Sequence, residues 1–383
     1  MTEFPFYHHV PYRFWRSVAF GVGIVGVSAC GPTDPKGGKS STTISAAPDL
    51  EVRVDSMAAS SASAMPSAAQ KSVLDELGTL GGKPIESLNA VEARKQPSPA
   101  DAVMALLKLT NAATTPEVVA SVVNRSIPSS TGAIPVRIYT PAGAGPFPVI
   151  VYYHGGGWVI ATNDTYDASA RALANAAGAV LVSVEYRKAP EHKFPAAHDD
   201  AFAAYTWAIK QAVSLNGDAS RIALVGESAG GNLAIATAIR ARDSDMPMPV
   251  HILAIYPIAG TDTTTLSYQR NASAKPLNRA MMAWFFDKYY RTPTDAKDPR
   301  LNLLAADLKS LPPVTIISAE IDPLLTEGEQ LASRMRAAGV TVEQRTFSGM
   351  AHEFFGQGAI VSEARDAVQF GAGGLKRGFA KSK

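Results

Sequence analysis

The sequence predicts an α/β fold in which a mostly parallel sheet is flanked by helices on both faces. From about residue 148 onward, short apolar runs rich in Val and Ile alternate with segments of helical periodicity. Such alternation is typical of parallel strands joined by crossover helices. The run 148–153 is almost continuously apolar, as expected for a strand buried on both faces. A third indication is a Gly-Glu-Ser-Ala-Gly segment, residues 226–230, between one predicted strand and the next predicted helix.

The first predicted elements are a helix and two strands. Ser98, Pro99 and Asp101 have the order of an N-cap, a first-turn proline and an early acid, which predicts the start of a helix. This helix either forms half of a cap over the functional site or packs on the core. Residues 118–126 and 135–140 then predict an antiparallel pair of strands.

Strands and helices alternate through the rest of the chain, with one interruption. Further strands are predicted at 148–153, 179–186, 221–225, 251–256, 314–319 and 340–347, and helices at 169–177, 200–212, 232–240, 327–338 and 361–370. An insertion that follows a strand lies over the site of an open α/β sheet. We therefore expect residues 71–115 and 258–310 to form a cap. The Met- and aromatic-rich segment 279–290 either lines a substrate pocket or packs on the body of the protein.

The N-terminal segment has the features of an export signal. Arg13 and Arg16 precede an uncharged apolar run that ends in Val-Ser-Ala before Cys30. This order resembles the signal peptide of bacterial lipoproteins, which is cut before a cysteine that carries lipid. It predicts a signal peptide at 1–29 and an extracytoplasmic protein attached to a membrane through Cys30. A plain signal peptide and an uncleaved anchor are the alternatives.

Composition and charge limit the domain organisation and the kinds of partner and metal site that the protein could have. Residues 30–70 are rich in small and polar residues without apolar periodicity, which predicts a flexible tether before a folded domain at 71–383. The net charge of +2 gives no reason to expect a nucleic-acid partner. Cys30 is the only cysteine, which excludes an intramolecular disulfide and a cysteine-rich metal site. We predict neither a metal nor a cofactor, and the sequence leaves the oligomeric state open.

The segment 226–230 has the form of a nucleophile elbow, a tight turn that exposes a serine between a strand and a helix. Glycines two residues before and after Ser228 allow the strand and the helix to crowd around a strained serine backbone. The hydroxyl would then lie at the positive end of the following helix. The pattern also occurs by chance, so its significance depends on finding the partners that the serine would need.

A serine nucleophile needs a base and an acid that orients the base. Of the seven histidines, only His251 and His352 follow Ser228, and in nucleophile-elbow folds the chain order is serine, acid, histidine. His251 begins a buried-looking strand, whereas His352 follows the last strand in a loop, so His352 is the predicted base. The predicted acid is Asp322, which closely follows a strand end, and Glu320 is its local competitor.

Backbone donors for an oxyanion are predicted after the first buried strand. Residues 154–158 have the sequence His-Gly-Gly-Gly-Trp, and glycines let N–H groups turn toward a developing charge. We assign Gly156 and Gly157 to the oxyanion hole, together with the N–H of Ala229. A flexible loop and a phosphate-binding loop are the alternatives for a triple glycine, but no Lys-Ser or Lys-Thr follows it, which excludes the phosphate-binding loop. His154 is expected to organise the loop.

Together these segments resemble the hormone-sensitive lipase family of α/β-hydrolases. The resemblance extends from about residue 130 to the C-terminus, and its motifs are residues 154–158, 186–192, 194–197, 226–233, 322–324 and His352. It implies an α/β-hydrolase fold with a cap, and a triad of Ser228, Asp322 and His352. It also implies hydrolysis of carboxylic esters with short or medium acyl chains. Glu227 departs from the aspartate that is more usual beside the serine.

The sequence therefore predicts a carboxylic ester hydrolase that acts on small-molecule esters through an acyl-enzyme. A serine hydrolase of amides or peptides is one alternative, although no large accessory domain is evident. A non-catalytic binding protein on the same scaffold is another. Receptors that resemble this family have lost a member of the triad, whereas this chain retains all three residues.

Overall fold

The computed structural model describes residues 64–130 and 132–380 of the chain. This part of the chain contains an eight-stranded sheet. Its strands are β1 (Ser121–Ser129), β2 (Gly132–Thr140), β3 (Phe147–Tyr153), β4 (Val180–Val184), β5 (Gly217–Glu227), β6 (Ile252–Ile255), β7 (Val314–Ile321) and β8 (Val342–Ala351). They lie in the order β1-β2-β4-β3-β5-β6-β7-β8. β2 is antiparallel to both β1 and β4, and all later neighbours are parallel. The predicted α/β class is confirmed.

Helices cover both faces of this sheet. Within the described residues they are α1 (Ala68–Thr79), α2 (Ala90–Ala93), α3 (Pro99–Leu109), α4 (Asp167–Ala177), α5 (Ala196–Gln211), α6 (Ala229–Asp243), α7 (Leu266–Arg270), α8 (Arg279–Tyr289), α9 (Leu325–Ala337) and α10 (Ser362–Ala380). α5, α6 and α9 share one apolar core, which includes Leu233 and Leu331. α4 and α10 share the core on the other face, which includes Leu173 and Leu375.

The strand order brings the carboxyl ends of β3, β5, β7 and β8 to one edge of the sheet. Tyr153 pairs with Gly226 at the ends of β3 and β5, and Ile321 pairs with Ala351 at the ends of β7 and β8. Parallel strands end on the same side, so the loops that follow them meet there although they are distant in sequence. These loops carry the predicted catalytic and oxyanion-hole residues, with Ala229 at the start of the helix that follows β5.

Two helical segments that are not part of the alternating strands and helices cover this edge of the sheet. The first contains α1 to α3, and the second contains α7 and α8. Two hydrogen bonds connect them: Trp284 Nε1 donates to Leu88 O at 3.0 Å, and Asn278 Nδ2 donates to Glu86 Oε1 at 3.1 Å. α3 starts at Pro99 with the expected N-cap at Ser98. α2, α3, α7 and α8 fall within the residue ranges predicted for a cap, whereas α1 begins before the first of these ranges.

Element boundaries differ from the predictions at both ends of the domain. α1 begins at Ala68, before the predicted start of order at 71, because Ser67 caps the helix by accepting a hydrogen bond from Gln70 N at 3.3 Å. α10 continues past residue 370 to Ala380.

The predicted signal peptide at 1–29 and Cys30 lie outside the described residues. Within residues 64–130 and 132–380, no helix has the length and apolar character needed to cross a membrane.

Candidate active site

Ser228 occupies the single position between β5 and α6. Its φ of 56° and ψ of −117° lie in a region that non-glycine residues rarely adopt. Two backbone hydrogen bonds hold this conformation: Ser228 N donates to Ile255 O at 2.9 Å, and Ile258 N donates to Ser228 O at 3.1 Å. The turn therefore has the strained geometry of a nucleophile elbow.

Gly230 allows α6 to approach the end of β3. A Cβ atom at Gly230 would lie 1.9 Å from the carbonyl oxygen of Tyr153 and 2.6 Å from that of His154. Both neighbours are backbone atoms, so no side-chain rotation could relieve the contact. Glycine is therefore required here by close packing.

Gly230→Ala should lower the free energy of unfolding by about 3 kcal/mol or more, because the strand and the helix would have to separate. Gly178, which follows α4 with a φ of 63°, offers a matched control because nothing lies within 4 Å of its Cβ position. Gly178→Ala should cost only about 1–2 kcal/mol of backbone strain. Urea denaturation measures both values, and equal losses would contradict the packing explanation.

Ser228, His352 and Asp322 form a row of side chains, each within hydrogen-bonding distance of the next. His352 Nε2 lies 3.0 Å from Ser228 Oγ, and His352 Nδ1 lies 2.6 Å from Asp322 Oδ2. The other oxygen of Asp322 accepts a hydrogen bond from Leu324 N at 2.8 Å, which fixes the carboxylate. Ser228, His352 and Asp322 are 4%, 3% and 1% exposed, so their interactions are shielded from water.

Burial and charge act in opposite directions on the pKa of His352. Burial lowers it, whereas the charge and the hydrogen bond of Asp322 raise it, and Glu353 and Glu227 add to the rise. The net pKa lies above the usual value of 6.5. An imidazolium at this position is therefore favoured by the negative charge beside it.

The competing residues have other partners. Glu320 Oε2 accepts a hydrogen bond from Gly349 N at 2.7 Å and so supports the loop that leads to His352. His251 Nε2 lies 2.9 Å from Thr315 Oγ1, beneath α10. The structure therefore brings Asp322 and His352, and neither competitor, next to Ser228.

Glu227 lies beneath the elbow and is hydrogen-bonded by two tyrosines. The sequence did not predict the role of these tyrosines. Glu227 is 1% exposed, and it accepts hydrogen bonds from Tyr152 OH at 2.5 Å and from Tyr256 OH. Burial raises the pKa of Glu227. The ring of Tyr256 is centred 4.5 Å from that of His352, so Glu227 supports the imidazole indirectly. Only the position of both tyrosines at the ends of strands could have suggested this cluster.

The predicted oxyanion loop bends back beside the serine. Gly156 and Gly157 have φ angles of 95° and 58°. Ile160 N donates to Gly156 O at 2.9 Å, which closes the turn. Ala229 is the first residue of α6, where backbone N–H groups have no partner within the helix. Gly156 and Gly157 line the same cavity as Ser228, so their backbone borders the serine.

His154 organises this loop, as expected. Its Nδ1 lies 2.8 Å from Gly155 O, and its ring stacks on Tyr186 with centroids 4.4 Å apart. Burial lowers the pKa of His154 to about 4, so it is neutral near pH 7.

A cavity of about 330 Å³ opens above Ser228. Apolar side chains from both cap segments line it: Leu77, Ile85, Pro97, Leu277, Met281 and Phe285. The ring of Phe285 covers Gly157, because a Cβ on that glycine would lie 2.2 Å from Phe285 Cδ1. Within the described residues, no group of three or more His, Cys, Asp or Glu side chains is arranged to hold a metal ion.

A mostly parallel sheet whose central strand turns sharply through a serine into a helix defines the α/β class of serine hydrolases. Comparison with known proteins agrees with this class, because residues 150–356 match the model of the family described as the α/β-hydrolase fold. The chain belongs to this family, as the motifs predicted.

The relatives of this chain include several ester hydrolases. The carboxylesterase NlhH of Mycobacterium tuberculosis is 42% identical over 249 residues, which cover 64% of this chain and 78% of NlhH. The ethyl acetate hydrolase of Pseudomonas putida is 34% identical over 303 residues, which cover 77% and 93%. The structure of a hyperthermophilic esterase from Pyrobaculum calidifontis matches with a TM-score of 0.73 at 37% identity, over 82% of this chain and 99% of that one. The predicted enzyme class, a serine ester hydrolase, is confirmed.

Proposed function

We propose that the protein hydrolyses carboxylic esters with short or medium acyl chains through an acyl-enzyme on Ser228. One observation carries the proposal: the imidazole of His352 lies between Ser228 Oγ, at 3.0 Å, and Asp322 Oδ2, at 2.6 Å. These distances fall within the reach required of a general base and its orienting acid.

The chemistry follows from this order. Ser228 Oγ adds to the ester carbonyl while its proton passes to His352 Nε2. The resulting oxyanion accepts hydrogen bonds from the N–H groups of Gly156, Gly157 and Ala229. Collapse breaks the ester C–O bond, and the alcohol leaves with the proton from His352. Water then attacks the acyl carbon with His352 again as base, which releases the acid and restores Ser228.

A fluorophosphonate probe tests the assignment of the nucleophile on the full chain. The probe should form a phosphonate ester with Ser228, and mass spectrometry of the peptides should place the added mass on that residue. The labelled enzyme should no longer hydrolyse p-nitrophenyl acetate. Label on another residue, or hydrolysis that survives full labelling, would refute the mechanism.

The small cavity and its apolar lining support short or medium acyl chains. A volume of about 330 Å³ lies at the lower end of the range usual for ligand pockets. The relative named as an ethyl acetate hydrolase supports small esters as well.

Phe285→Ala should shift the preference of the enzyme toward longer acyl chains, because the ring borders the cavity and covers the oxyanion loop. We expect the ratio of kcat/KM for octanoate to that for acetate to rise by about tenfold or more in a p-nitrophenyl ester series. Phe286→Ala is the matched control, since Phe286 stacks on Tyr290 with centroids 5.2 Å apart and does not border the cavity. The same ratio in both variants would contradict a role for Phe285 in selectivity.

We also propose that Cys30 carries lipid and attaches the mature protein to a membrane outside the cytoplasm. The support is the apolar run before the only cysteine of the chain. Mass spectrometry of the mature N-terminus should find lipid on Cys30, and Cys30→Ala should release the enzyme from membranes. An unmodified Cys30, or cleavage elsewhere, would refute the anchor.

A further inference from the structure

We propose that Gln70, on the N-terminal helix α1, is a positioning residue for His352. Gln70 is wholly buried, and a buried amide is costly unless its donor and acceptor are both used. Its Oε1 accepts a hydrogen bond from Ala351 N at 3.4 Å, and its Nε2 donates to Gln357 Oε1 at 3.2 Å. The side chain thus contacts both ends of the loop that carries the base. The inference rests on the proposed role of His352.

The second contact reaches the residue that follows His352. Gln357 is 2% exposed, and its Nε2 donates a hydrogen bond to Glu353 O at 3.0 Å. Gln70 therefore binds the residue before His352 directly and the residue after it through Gln357. Glu353 has a φ of 64°, which few residues other than glycine adopt, so these contacts hold a backbone that would otherwise relax.

The start of α1 reinforces this connection. Ser67 N donates a hydrogen bond to Gly349 O at 3.0 Å, on the strand that leads into the loop. Val73, one turn after Gln70, is wholly buried in the core that also includes Met350 and Phe354. α1 is therefore attached by hydrogen bonds to the chain on both sides of the imidazole, through Ser67 and Gln70.

This attachment predicts an effect on chemistry rather than on substrate binding. Only the end of α1, at Leu77 and Gly78, borders the cavity, and Gln70 does not. His352 Nε2 must remain within hydrogen-bonding distance of Ser228 Oγ, and a misplacement of about 1 Å can cost about 100-fold in rate. The N-terminal helix then contributes to the geometry of the base as well as to the cover of the site.

Gln70→Met tests the inference in the full chain, because methionine nearly preserves the volume and removes both hydrogen bonds. We expect kcat for p-nitrophenyl acetate to fall by about 10- to 100-fold, with KM within about twofold of wild type. The rate of fluorophosphonate labelling at Ser228 should fall by a similar factor. The matched control is Val73→Ala, which weakens the packing of the same helix: its Tm should fall, but its kcat should stay within about twofold.

The inference is overturned if Gln70→Met keeps its kcat, if only its KM changes, or if Val73→Ala loses kcat to the same extent. Should Gln70→Met fail to fold, Gln357→Met decides by the same criteria, since it removes the link to Glu353 from the other side. A wild-type chain that is labelled at Ser228 but hydrolyses no ester would refute the proposed substrate class. Slower labelling of Gln70→Met would support the positioning role even then.

Discussion

Ser228→Ala should lower kcat for p-nitrophenyl acetate by about 10⁴-fold or more, because no acyl-enzyme can form without the hydroxyl. The residual rate would come from the oxyanion hole and from substrate binding. The fold should persist, since alanine adds no atoms to the crowded turn. The variant should also resist fluorophosphonate at residue 228. Steady-state kinetics and labelling measure the two effects independently.

Ser318→Ala is the control for the loss of a buried hydroxyl. Ser318 lies on β7, it is 2% exposed, and its Oγ has no hydrogen-bond partner among the described residues. We expect its kcat to stay within about twofold of wild type. Comparable losses in the two variants would mean that Ser228 has only a structural role, and so would a Ser228→Ala enzyme that keeps most of its activity.

The central residues of the site could be predicted from sequence because each one follows a strand. Parallel strands end at one edge of a sheet, so the loops after β5, β7 and β8 must meet once the α/β alternation is recognised. Ser228, Asp322 and His352 occupy these loops, and the structure brings their side chains within hydrogen-bonding distance. Spacing alone could not do this, because the three residues are far apart in the chain.

Other parts of the site depend on contacts between residues whose local sequence gives no indication of them. Gln70 lies at the boundary of an Ala- and Ser-rich stretch, and its partners Ala351 and Gln357 follow it by almost 300 residues. Of the two tyrosines that bind Glu227, Tyr152 lies on β3 and Tyr256 directly follows β6, and their apolar surroundings in the sequence predict only buried rings. Buried polar clusters of this kind are set by tertiary packing.

The C-terminal helix shows packing overriding local preference. Gly371, Gly374 and Gly378 are poor helix formers, and the helix predicted at 361–370 ends before them. In the structure they let α10 lie close to the sheet: a Cβ on Gly374 would be 2.2 Å from Thr315 Oγ1, and one on Gly371 would be 2.8 Å from Leu253 Cδ2. The glycines are spaced along one face of the helix. Helix propensities of single residues do not reveal such a spacing.

Asp322→Asn should lower kcat by about 10⁴-fold while keeping the shape of the site. Asp322 accepts the N–H of His352 Nδ1, which leaves the lone pair of Nε2 directed at Ser228 Oγ. An asparagine can present its NH₂ group instead, and the imidazole would then carry its proton on Nε2, where it cannot accept one from the serine. The loss should therefore appear in kcat more than in KM.

The pH dependence separates this electrostatic role from a structural one. In wild type, Asp322 helps to raise the pKa of His352 above 6.5, so kcat/KM should rise with pH through a midpoint above that value as the base loses its proton. In Asp322→Asn burial dominates, the pKa of His352 falls, and the midpoint of the residual activity should move to lower pH. Asp295→Asn is the control, because this buried carboxylate pairs with Arg291 at 2.7 Å: it should lose stability but keep the wild-type profile. An unchanged midpoint in Asp322→Asn would mean that the carboxylate at 2.6 Å orients the loop without tuning the base.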